Sequence, residues 1–223
     1  MTVAAVTYLG GVAYLLDQPP AAAGTAVTVA TPTEPGRQGP PTLVVIGDSY
    51  TIDQPAEQGW AHLVATELGA ELVNLAVGST GYVRPNLRTT FVTQAAEGLP
   101  PGADVVVVFG GINDSVAPEA PEYVRAGALA TFAAVRRIAP GAALIVVGPQ
   151  WKNATPPAEA YTRRDVVLES ATKYGATWLD PLEGAWFADP ALIGPDGVHP
   201  KMPEGQRMIA DRLLPVVADA LDR

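Results

Sequence analysis

Ser49, Asn113, Asp196 and His199 are residue types that can together move an acyl group, and each falls in a short polar loop. The stretch TLVVIGDSYT, residues 42–51, places a serine, one of only four in the chain, directly after an apolar run. A serine hydroxyl is a poor nucleophile until a base takes its proton. Histidine suits that task because it titrates near neutrality. The chain has two, His62 and His199. His62 sits among Trp60, Leu63 and Val64, which occupy the buried stripe of a helix, so it is expected to face solvent. His199 lies in the turn GPDGVHP and is the credible base. Asp196, three residues earlier, can accept a hydrogen bond from its imidazole if the segment turns tightly, which would set the tautomer and steady the imidazolium. A tetrahedral intermediate also needs donors for its negative oxygen. The backbone N–H groups of Ser49 and of Gly78, in NLAVGSTG, and the Asn113 side-chain amide, in GGIND, can supply them.

Each block has an ordinary reading. Gly-Asp-Ser after a strand often serves only as a turn, and Gly-x-Asn-Asp is typical turn composition. A histidine in a Gly–Pro turn can simply be solvated. The functional reading rests on their occurring together, in a workable order, at the ends of strands. Three aromatic residues near these blocks are candidates for substrate contact: Tyr50, Trp151 and Trp186. Tyr50 either lines the acyl or alcohol side of a pocket or packs. The two tryptophans either stack on a sugar or flank an acyl chain, or they anchor loops.

The elements that must position these residues are legible from periodicity. Strands are expected at Leu43–Ile46, Glu71–Leu75, Asp104–Phe109, Ala143–Val147 and Thr177–Leu179. Helices are expected around Trp60–Leu68, stopped by Gly69, and at Thr90–Glu97, Pro121–Ile138, Glu159–Tyr174 and Pro203–Leu221. All-apolar strands alternating with helices indicate an α/β fold, with a parallel sheet of about five strands covered on both faces. In such sheets function sits beyond the carboxyl ends of the strands, where the candidate loops fall.

Four ordered blocks resemble those of the SGNH hydrolases, the GDSL-type esterases and lipases: Gly47-Asp48-Ser49, Gly78, Gly111-Ile112-Asn113-Asp114 and Asp196-Gly197-Val198-His199. The stretch QGWAHLVATELG is similar to the Gly-Trp helix of that family. The likeness spans almost all of residues 42–223. It implies a flavodoxin-like three-layer α/β/α sandwich, with Ser49 as nucleophile, His199 as base and Asp196 as its orienting acid. It also implies oxyanion donors at Ser49, Gly78 and Asn113. Tyr50 departs from the family's name motif, which usually has Leu there. Asp48 and Asp114 are expected to hold loop geometry by accepting backbone N–H bonds. The resemblance spans lipid esters, acetylated sugars, thioesters and aryl esters. The lack of a large apolar lid favours short acyl groups, on a carbohydrate or another cell-envelope molecule. The same residues serve an acyltransferase equally well. A binding module without catalysis would be expected to lack part of the constellation, and nothing is missing.

Composition removes other classes. Acidic residues outnumber basic ones 23 to 14, for a formal charge of −9, which argues against nucleic acid and against docking on anionic membranes. There is no cysteine. Two distant histidines and no clustered carboxylates fall short of a metal ligand set. No cofactor is expected either, since GDSYTIDQ lacks the glycines of a phosphate-cradling loop. Residues 1–16 form an apolar segment that resembles a signal or anchor core, though it has no basic flank; a packed N-terminal helix is the alternative. Residues 17–41, rich in Pro, Ala and Thr, read as a linker. The expectation is a monomer, secreted or anchored on the outer side, with the domain at 42–223; a cytoplasmic protein is the alternative.

Overall fold

Valine and isoleucine dominate three of the apolar runs, and their branched side chains pack well on a pleated surface. In the computed structural model these runs are β1 (Thr42–Gly47), β3 (Val105–Phe109) and β4 (Ala143–Val147). β2 (Glu71–Asn74) and β5 (Thr177–Leu179) flank them, giving one parallel sheet of order β2-β1-β3-β4-β5. The structure describes residues 39–52, 58–115 and 121–223. The apolar segment 1–16 and nearly all of the linker 17–41 lie outside the described residues.

The pleat sorts the central strands onto two cores. Val44, Ile46, Val106, Val108, Leu144 and Val146 face one side. There they meet α2 (Phe91–Gly98), α3 (Pro121–Ile138) and α4 (Ala158–Lys173). Leu43, Val45, Val107, Phe109, Ile145 and Val147 face the other. They meet α1 (Trp60–Leu68) and α5 (Glu204–Leu221). The result is a three-layer α/β/α sandwich. Each fully buried Val or Ile contributes about 1.5–3 kcal/mol, so both layers are held mainly by apolar burial.

Local signals set the ends of the helices. Gly69 closes α1 with φ 61°, the left-handed conformation that glycine adopts without penalty. Thr90 and Thr93 form a reciprocal capping box at the start of α2. Asp104 precedes β3 rather than joining it, and its carboxylate accepts a hydrogen bond from the Thr42 N–H at 2.7 Å. His62 is half-buried on α1.

The strand order reverses direction beside β1, whose neighbours are β2 and β3. Crossovers leave this switch point on opposite faces and open a crevice at the carboxyl ends. The loops after β1, β2 and β3 therefore border one depression.

The loop after β2 is packed directly onto α3. A Cβ placed on Gly127 would lie 2.5 Å from the Tyr82 carbonyl oxygen. Alanine in a helix interior is normally favoured over glycine by up to about 1 kcal/mol. Here the sign reverses: Gly127→Ala is expected to lower stability by about 1–3 kcal/mol, measured as a lower urea midpoint with an unchanged slope.

Candidate active site

β1 ends at Gly47, and the chain turns at once, with the Thr51 N–H bonded to the Asp48 carbonyl at 3.0 Å. Glycine is required at that corner, since a Cβ would come within 2.7 Å of Thr51 Oγ1 and 2.9 Å of the Phe109 carbonyl. Gln94, reaching from α2, grips the corner: its Oε1 accepts the Gly47 N–H at 2.9 Å and its Nε2 donates to the Gly47 carbonyl at 3.0 Å. The turn thus raises Ser49, half-buried, above the end of the sheet.

His199 reaches Ser49 from a small hairpin just ahead of α5. The Gly194 N–H bonds to the His199 carbonyl at 2.8 Å, and the Lys201 N–H bonds to the Leu192 carbonyl at 2.7 Å. Gly197 forms the tip with φ 68°. Asp196 uses both oxygens. Oδ1 accepts the Val198 and His199 N–H groups at 2.9 and 3.0 Å, which shapes the turn. Oδ2 lies 2.5 Å from His199 Nδ1. His199 Nε2 lies 2.9 Å from Ser49 Oγ. With Nδ1–H donated to Asp196, Nε2 is the acceptor for the serine proton.

The His199 hydrogen bond is the main reason the Asp196 carboxyl drops from 3.8 to about 2, helped by the two backbone donors. Both side chains are near half-exposed, at 50% and 44%. Water screens such a pair, so it contributes little to stability, and its value lies in orienting the ring.

The other blocks converge on the same place. A Cβ on Gly78 would lie 3.8 Å from Ser49 Cβ. Among the described residues, neither the Ser49 N–H nor the Gly78 N–H donates a hydrogen bond within the chain. Asn113 Nδ2 donates to the Thr80 carbonyl at 2.9 Å and more weakly toward Asp48 at 3.4 Å. Ser49, Asn113, His199, Ile112, Trp151 and Lys152 border a cavity of about 300 Å³.

The three aromatic candidates separate. Trp151 lines this cavity and is half-buried. Trp186 is a correction: it does not border the cavity but packs against Phe109 at 6.2 Å, with the Arg212 guanidinium over its ring. Its large apolar face is better buried in the second core than exposed at the crevice. Tyr50 touches the rim, yet it is fully buried, with its ring edge-on to Phe187. Its side chain packs rather than facing a ligand.

The sequence matches the GDSL-like lipase/acylhydrolase family over residues 45–207. The chain belongs to that family. It is a carboxylic ester hydrolase of the SGNH type. A GDSL lipase of Mycobacterium tuberculosis is 35% identical over 188 residues, covering 79% of this chain and 81% of the relative. The psychrotrophic esterase EstA of a Pseudoalteromonas species, whose structure was solved inhibited by monoethylphosphonate, superposes with TM-score 0.62 at 16% identity. That match covers 82% of this chain and 99% of the esterase. The acetylxylan esterase Axe2 of Geobacillus stearothermophilus gives TM-score 0.59 at 18% identity, covering 79% and 94%. At these identities the two structures share the fold.

Two aspartates hold the loops of this GDSL-family site. Asp114 accepts the N–H groups of Tyr82, Val83 and Arg84 at 3.0, 3.0 and 2.9 Å. A Cβ on Gly81 would collide with that carboxylate at 2.4 Å. Asp48 accepts the Tyr50 N–H at 3.0 Å and a long bond from Gln150 at 3.5 Å. Gln94 and Gln150 escape sequence reading because their partners are distant in the chain. The one available signal is a polar residue on a buried stripe, as Gln94 is beside Phe91 and Ala95.

Burial without full hydrogen bonding raises the Asp48 carboxyl from 3.8 to about 7. Below the unfolded value, near 3.8, folded and unfolded chains both hold this proton. Between there and about 7 only the folded chain holds it, so this group's contribution to stability is lost as pH rises through about 7. Relative to Asp48→Asn, which cannot titrate, the wild type is expected to lose stability across that range. Urea unfolding at several pH values checks it, and parallel pH curves for the two proteins would contradict it.

Proposed function

We propose that Ser49 is the nucleophile, His199 the general base and Asp196 its orienting acid, in hydrolysis of short-chain acyl esters. The observation that carries this reading is the unbroken chain from Asp196 Oδ2 through the His199 ring to Ser49 Oγ, at 2.5 and 2.9 Å. In the first half-reaction Ser49 Oγ attacks the ester carbonyl carbon while His199 Nε2 takes its proton. The carbonyl π pair moves onto oxygen, where the Ser49 and Gly78 N–H groups and the Asn113 amide stabilise it. As the intermediate collapses, the C–O bond to the alcohol breaks and His199 returns the proton to the leaving oxygen. A water, deprotonated by His199, then attacks the acyl carbon; the bond to Ser49 Oγ breaks and His199 returns the proton to that oxygen, releasing the acid.

A cavity of about 300 Å³ is at the small end of ligand sites and suits a short acyl group. Trp151 offers a face on which a sugar ring could stack. A carbohydrate or cell-envelope ester is the alcohol class we assign, and an acetylxylan esterase shares the fold. Transfer to an added alcohol needs only a different acceptor at the second step. We also propose that residues 1–16 direct the protein out of the cytoplasm. No helix among the described residues is long and apolar enough to cross a membrane.

Ser49→Ala and His199→Ala are each expected to lower turnover of p-nitrophenyl acetate by about 10³-fold or more. Across acyl chain lengths, acetate to butyrate should be preferred over long chains. Unchanged turnover in Ser49→Ala would remove the nucleophile assignment. Acylated product in the presence of added sugars, read by mass spectrometry, would mark a transferase. Cell fractionation should place the full-length chain outside the cytoplasm, and recovery only in the cytosol would refute export.

A further inference from the structure

Tyr50 stands where its family usually has leucine, and no step above uses its phenol. That hydroxyl donates to the Val198 carbonyl at 2.5 Å, across 148 positions of sequence. Val198 is the residue before the base. The Tyr50 ring is fixed edge-on against Phe187 at 5.4 Å and against Phe109 at 6.4 Å. The His199 ring lies beside it, with centroids 5.9 Å apart. The Tyr50 backbone N–H is bonded to Asp48, in the same turn that carries Ser49. One residue therefore joins the nucleophile turn to the hairpin of the base.

The legs of the hairpin join α5 through the Lys201 carbonyl, which accepts the Gly205 N–H at 2.7 Å, but its tip has few other ties. Hydrogen bonds of residues 194–199 run largely within the segment: Gly194 with His199, Gly197 with Gly194, and Asp196 with Val198 and His199. Among the described residues, two link it to the body of the fold: Tyr50 to Val198, and His199 to Ser49. Chemistry consumes the second of these. Once Ser49 Oγ is esterified it has no proton to donate, and His199 must hold a water instead.

We propose that Tyr50 is a positioning residue whose phenol tethers the Val198 carbonyl and so keeps His199 in register through the acyl-enzyme stage. This rests on Ser49 and His199 acting as assigned above. During acylation the Ser49–His199 bond shares the task. During deacylation the phenol is the one hydrogen bond, among the described residues, left between residues 194–199 and the body of the fold. Burial pushes the Tyr50 phenol well above its ordinary range, so it remains a donor throughout the working pH range. Leucine at this position could fill space but could not tether the carbonyl.

Tyr50→Phe removes the hydroxyl and leaves the ring. Two steps are read on the full-length protein. Labelling of Ser49 by a p-nitrophenyl phosphonate reports attack. Decay of the butyryl-enzyme, trapped by acid quench after mixing with p-nitrophenyl butyrate and weighed as intact protein, reports deacylation. Deacylation is expected to slow about tenfold, the upper size of one net hydrogen bond, while labelling slows by less than about threefold. In steady state kcat and KM then fall together where deacylation limits turnover, with kcat/KM nearly unchanged. Equal slowing of both steps would reduce Tyr50 to general packing, and no change in either would remove the tether. Both outcomes overturn the proposal. A wild type that takes no label on Ser49 would instead sink the nucleophile assignment, and the tether with it.

Discussion

The in-register parallel pairing of β1 with β3 is the constraint on which the site depends. Gly47 lies opposite Phe109, so both strands end at the same height and release their loops side by side. Two or three apolar residues of each central strand face each helical layer, and a slip of one residue would exchange the two cores. The register is thus fixed by burial on both faces. Catalytic geometry is inherited from it: Ser49 comes two residues after one strand end, and Asn113 four residues after the other. Glycine makes the close approach feasible. Gly110 and Gly111 hold φ of 148° and 120°, and a Cβ on Gly110 would meet Asp48 and Phe91 at 2.7 Å.

Polar side chains do at the crevice what apolar ones do in the layers. Gln94, Asp114 and Asp48 each satisfy backbone groups that the ends of the strands leave without ladder partners. They differ in how fully they are themselves satisfied. Asp114 collects three backbone donors, which oppose the cost of its burial. Asp48 has the Tyr50 N–H, a weaker Gly111 N–H and long side-chain contacts, too little to offset its burial, which raises its carboxyl to about 7. Its neighbour Asn113 therefore faces a carboxyl of variable charge, so the two sites are electrostatically linked.

The order and type of the elements were legible because valine-rich runs and amphipathic helices speak through local period. The four blocks were legible because glycine and a functional side chain stand together at each strand end. What escaped has a common cause. Trp186 and Tyr50 each sit where the outcome depends on which distant surface arrives: Phe109 and Arg212 around Trp186, Val198 at the phenol of Tyr50. Period tells which face of an element is buried, not what buries it. Gln94 is the sharpest case, since its partner Gly47 is 47 positions away and nothing local to α2 announces the grip.

The hairpin of residues 192–201 carries a consequence for how the site is assembled. All five strands of the sheet precede it in the chain, so the residues assigned as nucleophile and oxyanion donors come from the strand ends, and the assigned base from a segment that follows the sheet. The hairpin is seated only when α5 docks, with Gln206 Oε1 accepting the first N–H of α1, that of Trp60, at 2.9 Å. The assigned nucleophile and base therefore come from parts of the chain that no local segment joins, and the site exists only as a product of tertiary assembly.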